Sequence, residues 1–191
     1  MIKSLKQSLI AFAFFTLLLG IVYPLFITGI AQIAMPGKAN GSIIYKDGKP
    51  VGSELLGQNF DKPGYFHGRL SAVGYDATNS GASNLGPSSA KLMQEVGDSI
   101  KQIRKEDDLP VGDIPPDMVS SSASGLDPHI SMANASIQLK RVARVRKISE
   151  PEVKKMIAEN TVPDFIGIWG HRGVNVLKLN MALDNYKTAK E

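Results

Sequence analysis

A serine, an aspartate and a histidine stand close together in one short stretch of the chain. Ser124, Asp127 and His129 fall within six consecutive positions. A serine that is activated by a histidine, itself oriented by a carboxylate, is a nucleophile for acyl transfer. Members this close in sequence, on one loop, rarely reach that geometry. A membrane-anchored Ser/His hydrolase is therefore an alternative hypothesis, and the expected set of catalytic residues is none.

Other motifs of phosphate, ester and metal chemistry are missing from the sequence. It contains no Gly-rich phosphate loop that ends in Gly-Lys-Ser/Thr, no Gly-x-Ser-x-Gly elbow and no His-Glu-x-x-His. The histidines, His67, His129 and His171, stand tens of residues apart, and the chain has no Cys. Because metal sites need such ligands at close spacing, no metal site is expected.

Two loops of small residues are the candidate contact regions. Ser80–Gly86 and Ser120–Gly125 are rich in Gly, Ser and Asn. Backbone N–H groups in such loops can cradle an anion, but the same composition also forms tight turns that present a surface to a protein partner. The candidate partner or nucleotide contacts are Ser83, Asn84, Gly86, Ser124, Gly125, Asp127 and His129.

A basic segment follows the second loop, within a helical pattern over Ser131–Arg146. Its cations can bind phosphates or anionic lipid headgroups, which makes an anion-binding module a second alternative, or they form an ordinary solvated face. No aromatic residues interleave for base stacking, and the net charge is only +4, so nucleic acid is not expected as a partner. The cations are Lys140, Arg141, Arg144, Arg146 and Lys147.

The element that precedes these residues is a membrane span. The 31 residues at 7–37 carry no charge. A helix over 9–34 can cross a hydrocarbon core, which takes roughly 20 apolar residues. The predicted organisation is a short N-terminal tail at 1–8, a transmembrane helix at 9–34 and a soluble domain at 38–191. The alternative is a cleaved signal peptide with its site near Gly29-Ile30-Ala31, but such peptides have shorter apolar runs.

One face of this helix is made of small or compact residues at steps of three or four. Small side chains let a second helix approach closely inside a bilayer, so the face predicts a partner helix. A proline within the span is expected to kink it, and the freed backbone groups favour a place inside a bundle. The packing face consists of Ala13, Thr16, Gly20, Pro24, Thr28 and Ala31.

The rest of the sequence predicts one mixed α/β (α+β) soluble domain after the single N-terminal transmembrane helix. Strands at Ser42–Tyr45 and Val51–Leu56 flank an Asp-Gly turn, which is typical of a hairpin. Gln58–Pro87 shows almost no periodicity and is expected to be irregular. An irregular stretch of this length inside a compact domain is often functional.

Helical and strand patterns fill the second half of the domain. Helices are expected over Leu92–Ile103 and Ser131–Arg146 from their apolar stripes. A third helix opens at Ser149, where Ser149 and Glu152 have the spacing of a capping box. Val174–Asn180 is predicted as a strand near the C-terminus.

Short blocks of unusual sequence follow one another along nearly the whole chain. They are Tyr23-Pro24, Thr28–Gln32, Val51–Ser53, Leu56–Phe60, Tyr65–Arg69, Ser71-Ala72, Ser80-Gly81, Ser83–Pro87, Ser124–Ser131, Gln138, Arg141–Ala143, Val174–Leu177 and Leu179-Asn180. Together they resemble the KdpC family, the C subunit of the Kdp potassium-transporting ATPase of bacteria and archaea. Leu70, Ala123 and Gly173 stand where the family usually has Pro, Gly and Arg, which bears on local loop shape.

The resemblance implies an accessory, non-catalytic subunit of a complex for ATP-driven, high-affinity potassium uptake. Its partners would be the potassium-translocating A subunit, the ATP-hydrolysing B subunit, the small F subunit and the membrane. The family is described as stabilising and assembling the complex. It is also described as a catalytic chaperone that raises the ATP affinity of the B subunit, so ATP is expected only in a transient complex with B and no cofactor is expected to be covalently bound.

The resemblance also implies a location in the cell (inner) membrane. The protein would be single-pass, with a cytoplasmic N-terminus and the soluble domain outside the cytoplasm. The charge balance around the span leaves this orientation open. A domain outside the cytoplasm cannot touch cytosolic nucleotide, so assembly and stabilisation are favoured over direct contact with ATP.

Overall fold

The computed structural model describes residues 2–109, 112, 114–163, 170 and 172–188. The chain divides into two units, Met1–Pro50 and Val51–Glu191. His171, one of the three histidines considered as metal ligands, lies outside the described residues.

One long helix dominates the first unit. It consists of α1 (Ile2–Leu17), a π-helical turn (Leu18–Val22) and α2 (Tyr23–Ala34). These 33 residues are long and apolar enough to cross a membrane, and the most apolar stretch is not buried in the chain. The helix already begins at Ile2, so the described residues of the predicted tail are helical, and the limits of the span stay a prediction.

The expected disturbance at Pro24 takes the form of the π-helical turn just before it. Pro24 has no N–H, and in a regular α-helix its ring would meet the carbonyl of Gly20. The N–H of Tyr23 instead bonds to the carbonyl of Leu18, five residues back. One extra residue rotates the following helix by about 100°. Even so, helix geometry keeps the six residues of the packing face within roughly a third of the circumference.

The hairpin predicted around the Asp-Gly turn is confirmed. β1 (Ile43–Lys46) pairs with β2 (Lys49–Ser53), after the short helix α3 (Pro36–Ala39). Asp47 and Gly48 have φ values of 52° and 73°. A two-residue turn of this kind needs positive φ at both positions, which Asp and Gly tolerate best.

The predicted irregular stretch Gln58–Pro87 contains neither helix nor strand, which confirms that prediction.

The second half of the unit alternates helices with three short antiparallel strands, in the order β3–β5–β4. His129 lies opposite Asn175, and Thr161 lies opposite Val174. The elements are α4 (Ala90–Asp107), α5 (Pro116–Val119), β3 (His129–Ser131), α6 (Met132–Arg146), α7 (Glu150–Glu159), β4 (Thr161–Val162), β5 (Gly173–Asn175) and α8 (Val176–Thr188).

Two of the predicted helices, α4 and α6, begin with a serine cap. The hydroxyl oxygen of Ser89 accepts the N–H of Leu92 at the start of α4, and that of Ser131 accepts the N–H of Asn134 at the start of α6. Asp108 follows α4 in a left-handed conformation, with φ of 52°. No residue of α4 is fully buried, so this helix lies against the domain without entering its core.

The core lies between α6, α7, α8, the three-stranded sheet and one aromatic residue of the irregular stretch. Its buried apolar members are Phe66, Ile130, Ala135, Leu139, Val142, Ala143, Ile148, Val153, Met156, Ile157, Val174, Val176, Leu179 and Leu183. The mixed α/β prediction for the soluble domain is therefore confirmed, as is a single apolar N-terminal helix.

The prediction of a strand over Val174–Asn180 is wrong beyond Asn175. Only Gly173–Asn175 is a strand, and α8 begins at Val176. The carbonyl oxygen of the Asn175 side chain accepts the N–H of Lys178 at 3.0 Å and so caps the first turn of the helix. The buried side chains of Val176, Leu179 and Leu183 follow helical spacing, which becomes visible only when the pattern is followed past residue 180.

The capping box predicted at the start of α7 is not formed. The Ser149 hydroxyl donates to the Glu152 carboxylate at 2.8 Å, and it makes no bond to a backbone N–H of the helix. The N–H groups of Glu152 and Val153 instead donate to the backbone carbonyl of Ser149, both at 3.1 Å. The apolar stripe of α7 is buried as expected, at Val153, Met156 and Ile157.

Candidate functional site

Asp127 connects two parts of the loop region. Its Oδ2 accepts from Nη1 of Arg69 at 3.1 Å, and its Oδ1 accepts from the backbone N–H of His129 at 2.9 Å. Nδ1 of His129 lies 3.8 Å from the same Oδ1. Burial opposes ionisation of this carboxyl, but the contacts with His129 and Arg69 outweigh it and hold the pKa of Asp127 below its usual range. Such a carboxylate is a weak base that fixes Arg69 in place.

Ser124 does not join Asp127 and His129 in a nucleophile arrangement. Its hydroxyl oxygen accepts the N–H of Leu126 at 3.1 Å, within the turn. Its carbonyl accepts the N–H of Gly81 and the hydroxyl of Ser80, at 2.9 and 3.1 Å. No hydrogen bond joins the Ser124 hydroxyl to the His129 ring in the described coordinates. The serine therefore joins the two loops.

Glycines make this close approach of the loops possible. Gly125 has φ of 69°, and a Cβ there would lie 2.5 Å from Cγ2 of Val73 and 2.8 Å from the carbonyl oxygen of Gly81. A Cβ at Gly57 would lie 2.6 Å from the carbonyl oxygen of Asp127. Gly57 also donates its N–H to the carbonyl of Leu126 at 2.8 Å. Both positions exclude a side chain because backbone passes directly beside them.

The other predicted contacts lie apart from this cluster. Asn84 has φ of 54°, and its Nδ2 donates to the carbonyl of Ala82. A Cβ at Gly86 would meet nothing within 4 Å. Ser83 lines a groove of about 650 Å³ beside α4. The structure thus brings together Ser124, Gly125, Asp127 and His129, but not Ser83, Asn84 and Gly86.

Side-chain amides hold the irregular stretch to the core, which sequence reasoning missed. Asn180 on α8 accepts the N–H of Phe66 and donates to its carbonyl, both at 2.9 Å. Gln138 on α6 accepts the N–H of His67 at 2.7 Å and donates to its carbonyl at 3.0 Å. Each amide thus pairs with a loop residue as a neighbouring strand would. Phe66 is fully buried in the structure. In the sequence, the available signal was the presence of this aromatic residue inside an aperiodic stretch.

His67 lies beside a charged cluster under α4. Its Nδ1 is 3.8 Å from a carboxylate oxygen of Glu106, and its Nε2 is 3.4 Å from the carbonyl of Lys62. Burial and the nearby positive charge of Arg141 lower the pKa of His67 below 6.5, although the Lys62 carbonyl, Glu106 and Asp107 act in the opposite direction. The ring is therefore neutral at physiological pH.

The predicted basic face of α6 is partly wrong, because two of its five cations point inward. The guanidinium of Arg141 donates to Asp107 at 2.8 Å, to the carbonyls of Pro63 and Tyr65, and to Gln138. Arg146 pairs with Asp184 at 2.8 Å, donates to the Gly64 carbonyl and lies 4.4 Å above the ring of Tyr65. Arg141 is buried and Arg146 is partly buried, and guanidinium groups with such partners are structural; of the five, Lys140, Arg144 and Lys147 are exposed.

An open groove of about 1130 Å³ lies beside the loop cluster. Arg69, Asp127 and His129 line one part of it, and the first residues of α6 line another. At the start of α6 the backbone N–H of Ser131 donates to Asp117, a carboxylate that also lines the groove, and Arg69 donates to Asp127. These donors are therefore already engaged by carboxylates of the chain itself. No group of three or more His, Asp or Glu suited to a metal ion occurs in the residues described.

The packing face of the long helix is not covered by other described residues of its own unit. Its residues Ala13, Thr16, Gly20, Pro24 and Thr28 are exposed, and Ala31 is partly exposed. A Cβ at Gly20 or at Gly29 would meet nothing within 4 Å.

The fold and the loop cluster define a protein with one candidate membrane span and a small α+β domain whose loops are fixed by their own hydrogen bonds. A family profile described as KdpC, K+-transporting ATPase, c chain, matches residues 5–185. The chain belongs to this KdpC family and is a subunit of a potassium uptake complex.

Relatives match the chain over nearly its full length. A potassium-transporting ATPase KdpC subunit of Polaromonas naphthalenivorans is 49% identical over 186 residues, which are 96% of this chain and 95% of the relative. Proteins with the same name from Caldanaerobacter subterraneus subsp. tengcongensis and Koribacter versatilis are 47% and 46% identical, over 95% of this chain and 94% of each relative. The match includes both the helix and the α+β domain.

Proposed function

We propose that this chain is a non-catalytic subunit that stabilises and assembles the potassium uptake complex through its membrane helix. The partners are the potassium-translocating A subunit, the ATP-hydrolysing B subunit and the small F subunit. The observation that carries the proposal is the uncovered packing face, on which Gly20 has open space where a side chain would be. In a bilayer, helices associate through close contact between such small residues.

Bulky substitutions on the packing face test this role. Gly20→Leu fills the open space and is expected to reduce co-purification of the chain with the A, B and F subunits. A matched pair separates packing from hydrophobicity. Ala13→Leu lies on the face and is expected to act in the same way, whereas Ala11→Leu lies about 200° around the helix and is expected to have no effect. An intact complex with unchanged potassium-stimulated ATPase activity in Gly20→Leu and Ala13→Leu would refute the proposal.

A second role concerns ATP. The chain acts as a catalytic chaperone that raises the ATP affinity of the B subunit, with ATP present only in a transient complex and no cofactor covalently bound. The groove holds Arg69 beside His129, and an anionic group there would compete with the Asp127 carboxylate for Arg69. Titration of ATP against the full chain in detergent tests direct binding. A lower KM for ATP in the complex that contains the chain, without binding to the chain alone, would indicate an effect through assembly.

The proposed location is the inner membrane, as a single-pass protein with a cytoplasmic N-terminus and the soluble domain outside the cytoplasm. Because the sequence has no Cys, one introduced Cys reports its own side of the membrane. Ser88→Cys lies on an exposed loop and is expected to react with an impermeant maleimide in intact cells. Protection of that thiol until the cells are lysed would place the domain in the cytoplasm and restore direct ATP contact as the simpler mechanism.

A further inference from the structure

The five cations of α6 and its C-cap fall into two groups. Two of them are neutralised inside the domain, Arg141 by Asp107 and Arg146 by Asp184. The other three are exposed, and no ion pair of theirs occurs with any carboxylate in the described part of the chain. We call these three the cationic stripe: Lys140, Arg144 and Lys147.

Two members of the cationic stripe share one helix face. Lys140 and Arg144 are four residues apart and lie within about 40° of one another, and Lys147 follows as the left-handed C-cap, about 10 Å along the axis from Lys140. The next acid along the chain, Glu150 at the start of α7, makes no ion pair with them. Some other exposed lysines have such partners, as in the pairs Lys91–Glu95, Lys101–Asp98 and Lys155–Glu159, whereas Lys105 and Lys154 are exposed without an ion pair among the described residues. The distinguishing feature of the stripe is therefore the clustering of three cations.

Stabilisation of the helix end explains only part of this arrangement. Arg144 and Lys147 lie at the C-terminal end of α6, where a cation interacts favourably with the helix dipole. Lys140 lies almost two turns from that end, beyond the range of the effect. Three exposed cations close together, with no ion pair among the described residues, instead match an extended surface of negative charge.

We propose that the cationic stripe contacts the anionic lipid headgroups of the membrane that the N-terminal helix of the same chain enters. Each Lys or Arg near a leaflet that contains anionic lipid increases the binding constant for that leaflet by roughly fivefold. The covalent link to the helix keeps the domain at high local concentration near the bilayer, so a modest attraction suffices. The inference goes beyond subunit assembly because it requires no partner protein.

A fluorophore next to the cationic stripe tests the contact in the full chain. Ser136 lies one turn before Lys140 on the same exposed face, and its hydroxyl bonds only within the helix, to the Met132 carbonyl. Ser136→Cys provides a single labelling site because the chain has no other Cys. The labelled chain is reconstituted into vesicles of phosphatidylcholine alone or with about one third phosphatidylglycerol, both with a neutral lipid that carries a quencher on its headgroup.

Quenching is expected to be stronger in the anionic vesicles and to fall in about 0.5 M salt, where screening shortens the electrostatic range. In the labelled chain, K140Q/R144Q/K147Q is expected to lose most of the increase. The control K91Q/K101Q/K155Q removes the same charge from paired lysines and is expected to retain it. Equal quenching in both vesicles, or equal loss in both variants, would overturn the proposal. A stripe variant that keeps the wild-type quenching but no longer co-purifies with the other subunits would also overturn the proposal, because the stripe would then contact protein.

Discussion

The guanidinium of Arg141 and the carboxylate of Asp107 form an ion pair of 2.8 Å in which each side chain is only 3% exposed. Arg141 lies on α6, and Asp107 is the last residue of α4. The same guanidinium also donates to the Pro63 and Tyr65 carbonyls. One side chain therefore joins α4, α6 and the irregular stretch.

Removal of Arg141 is expected to be severely destabilising. Arg141→Leu leaves the Asp107 carboxylate buried without its partner, which typically costs about 3–5 kcal/mol in the free energy of unfolding. Arg144→Leu changes an exposed cation on the same helix and is expected to change the free energy of unfolding by about 0.5 kcal/mol or less. Thermal and urea unfolding of the full chain in detergent, followed by circular dichroism, compares the two. Similar stability of both variants would show that the buried pair contributes little.

Two glycines of the loops are expected to respond in opposite ways to alanine. Gly57→Ala places a Cβ 2.6 Å from the Asp127 carbonyl oxygen, so the loops must separate, at a cost of about 1–3 kcal/mol. Gly86→Ala meets nothing within 4 Å and is expected to be neutral or to stabilise by about 0.4–1 kcal/mol. Unfolding curves of the two variants measure the difference. If Gly86→Ala instead weakens the complex while the chain stays stable, Gly86 is a partner contact.

Stability is expected to fall as the pH decreases below 6.5. Because the pKa of His67 is lowered in the folded state, the unfolded chain takes up the proton first, and each proton bound favours unfolding. The loss begins near the ordinary value of 6.5 and ends at the lowered pKa. His67→Gln removes the titrating ring and is expected to flatten the dependence between pH 7.5 and 5.5. An unchanged slope in that variant would assign the effect to other groups.

Ser124 is expected to matter for the turn and not for chemistry. Ser124→Ala removes one hydrogen bond to the Leu126 N–H, worth about 0.5–1.5 kcal/mol in the free energy of unfolding. The potassium-stimulated ATPase activity of the complex is expected to stay unchanged. A reactive probe for active-site serines is expected to leave the wild-type chain unlabelled. Labelling of the wild type but not of Ser124→Ala would support the hydrolase alternative.

Local signals in the sequence predicted most elements of the fold. Alternation and turn chemistry gave the hairpin around Asp47 and Gly48, and apolar stripes gave α4 and α6. The C-terminal helix was missed because Val174 and its neighbours are both strand-like and helix-compatible, and the preference is decided by packing. Tertiary context overrides such short patterns.

The candidate site was only partly predictable, because its contacts join residues far apart in sequence. Asp127 and His129 are neighbours, and their local bond follows from the sequence. The pairing of Asp127 with Arg69 spans 58 residues, and that of Asn180 with Phe66 spans 114. The periodicity of α6 indicates that Arg141 is helical, but it does not indicate that Arg141 pairs with the Asp107 carboxylate. Sequence patterns report local preference and burial, whereas such partners depend on the assembled fold.

The amide pairs of Asn180 with Phe66 and of Gln138 with His67 tie an aperiodic segment to two helices. Small domains exposed to an oxidising compartment often use disulfides for that purpose. Carboxamide pairs require no oxidant to form, cannot be shuffled into wrong partners and do not respond to thiols. The soluble unit can therefore fold in the same way on either side of a membrane, with equal stability in reducing and oxidising conditions.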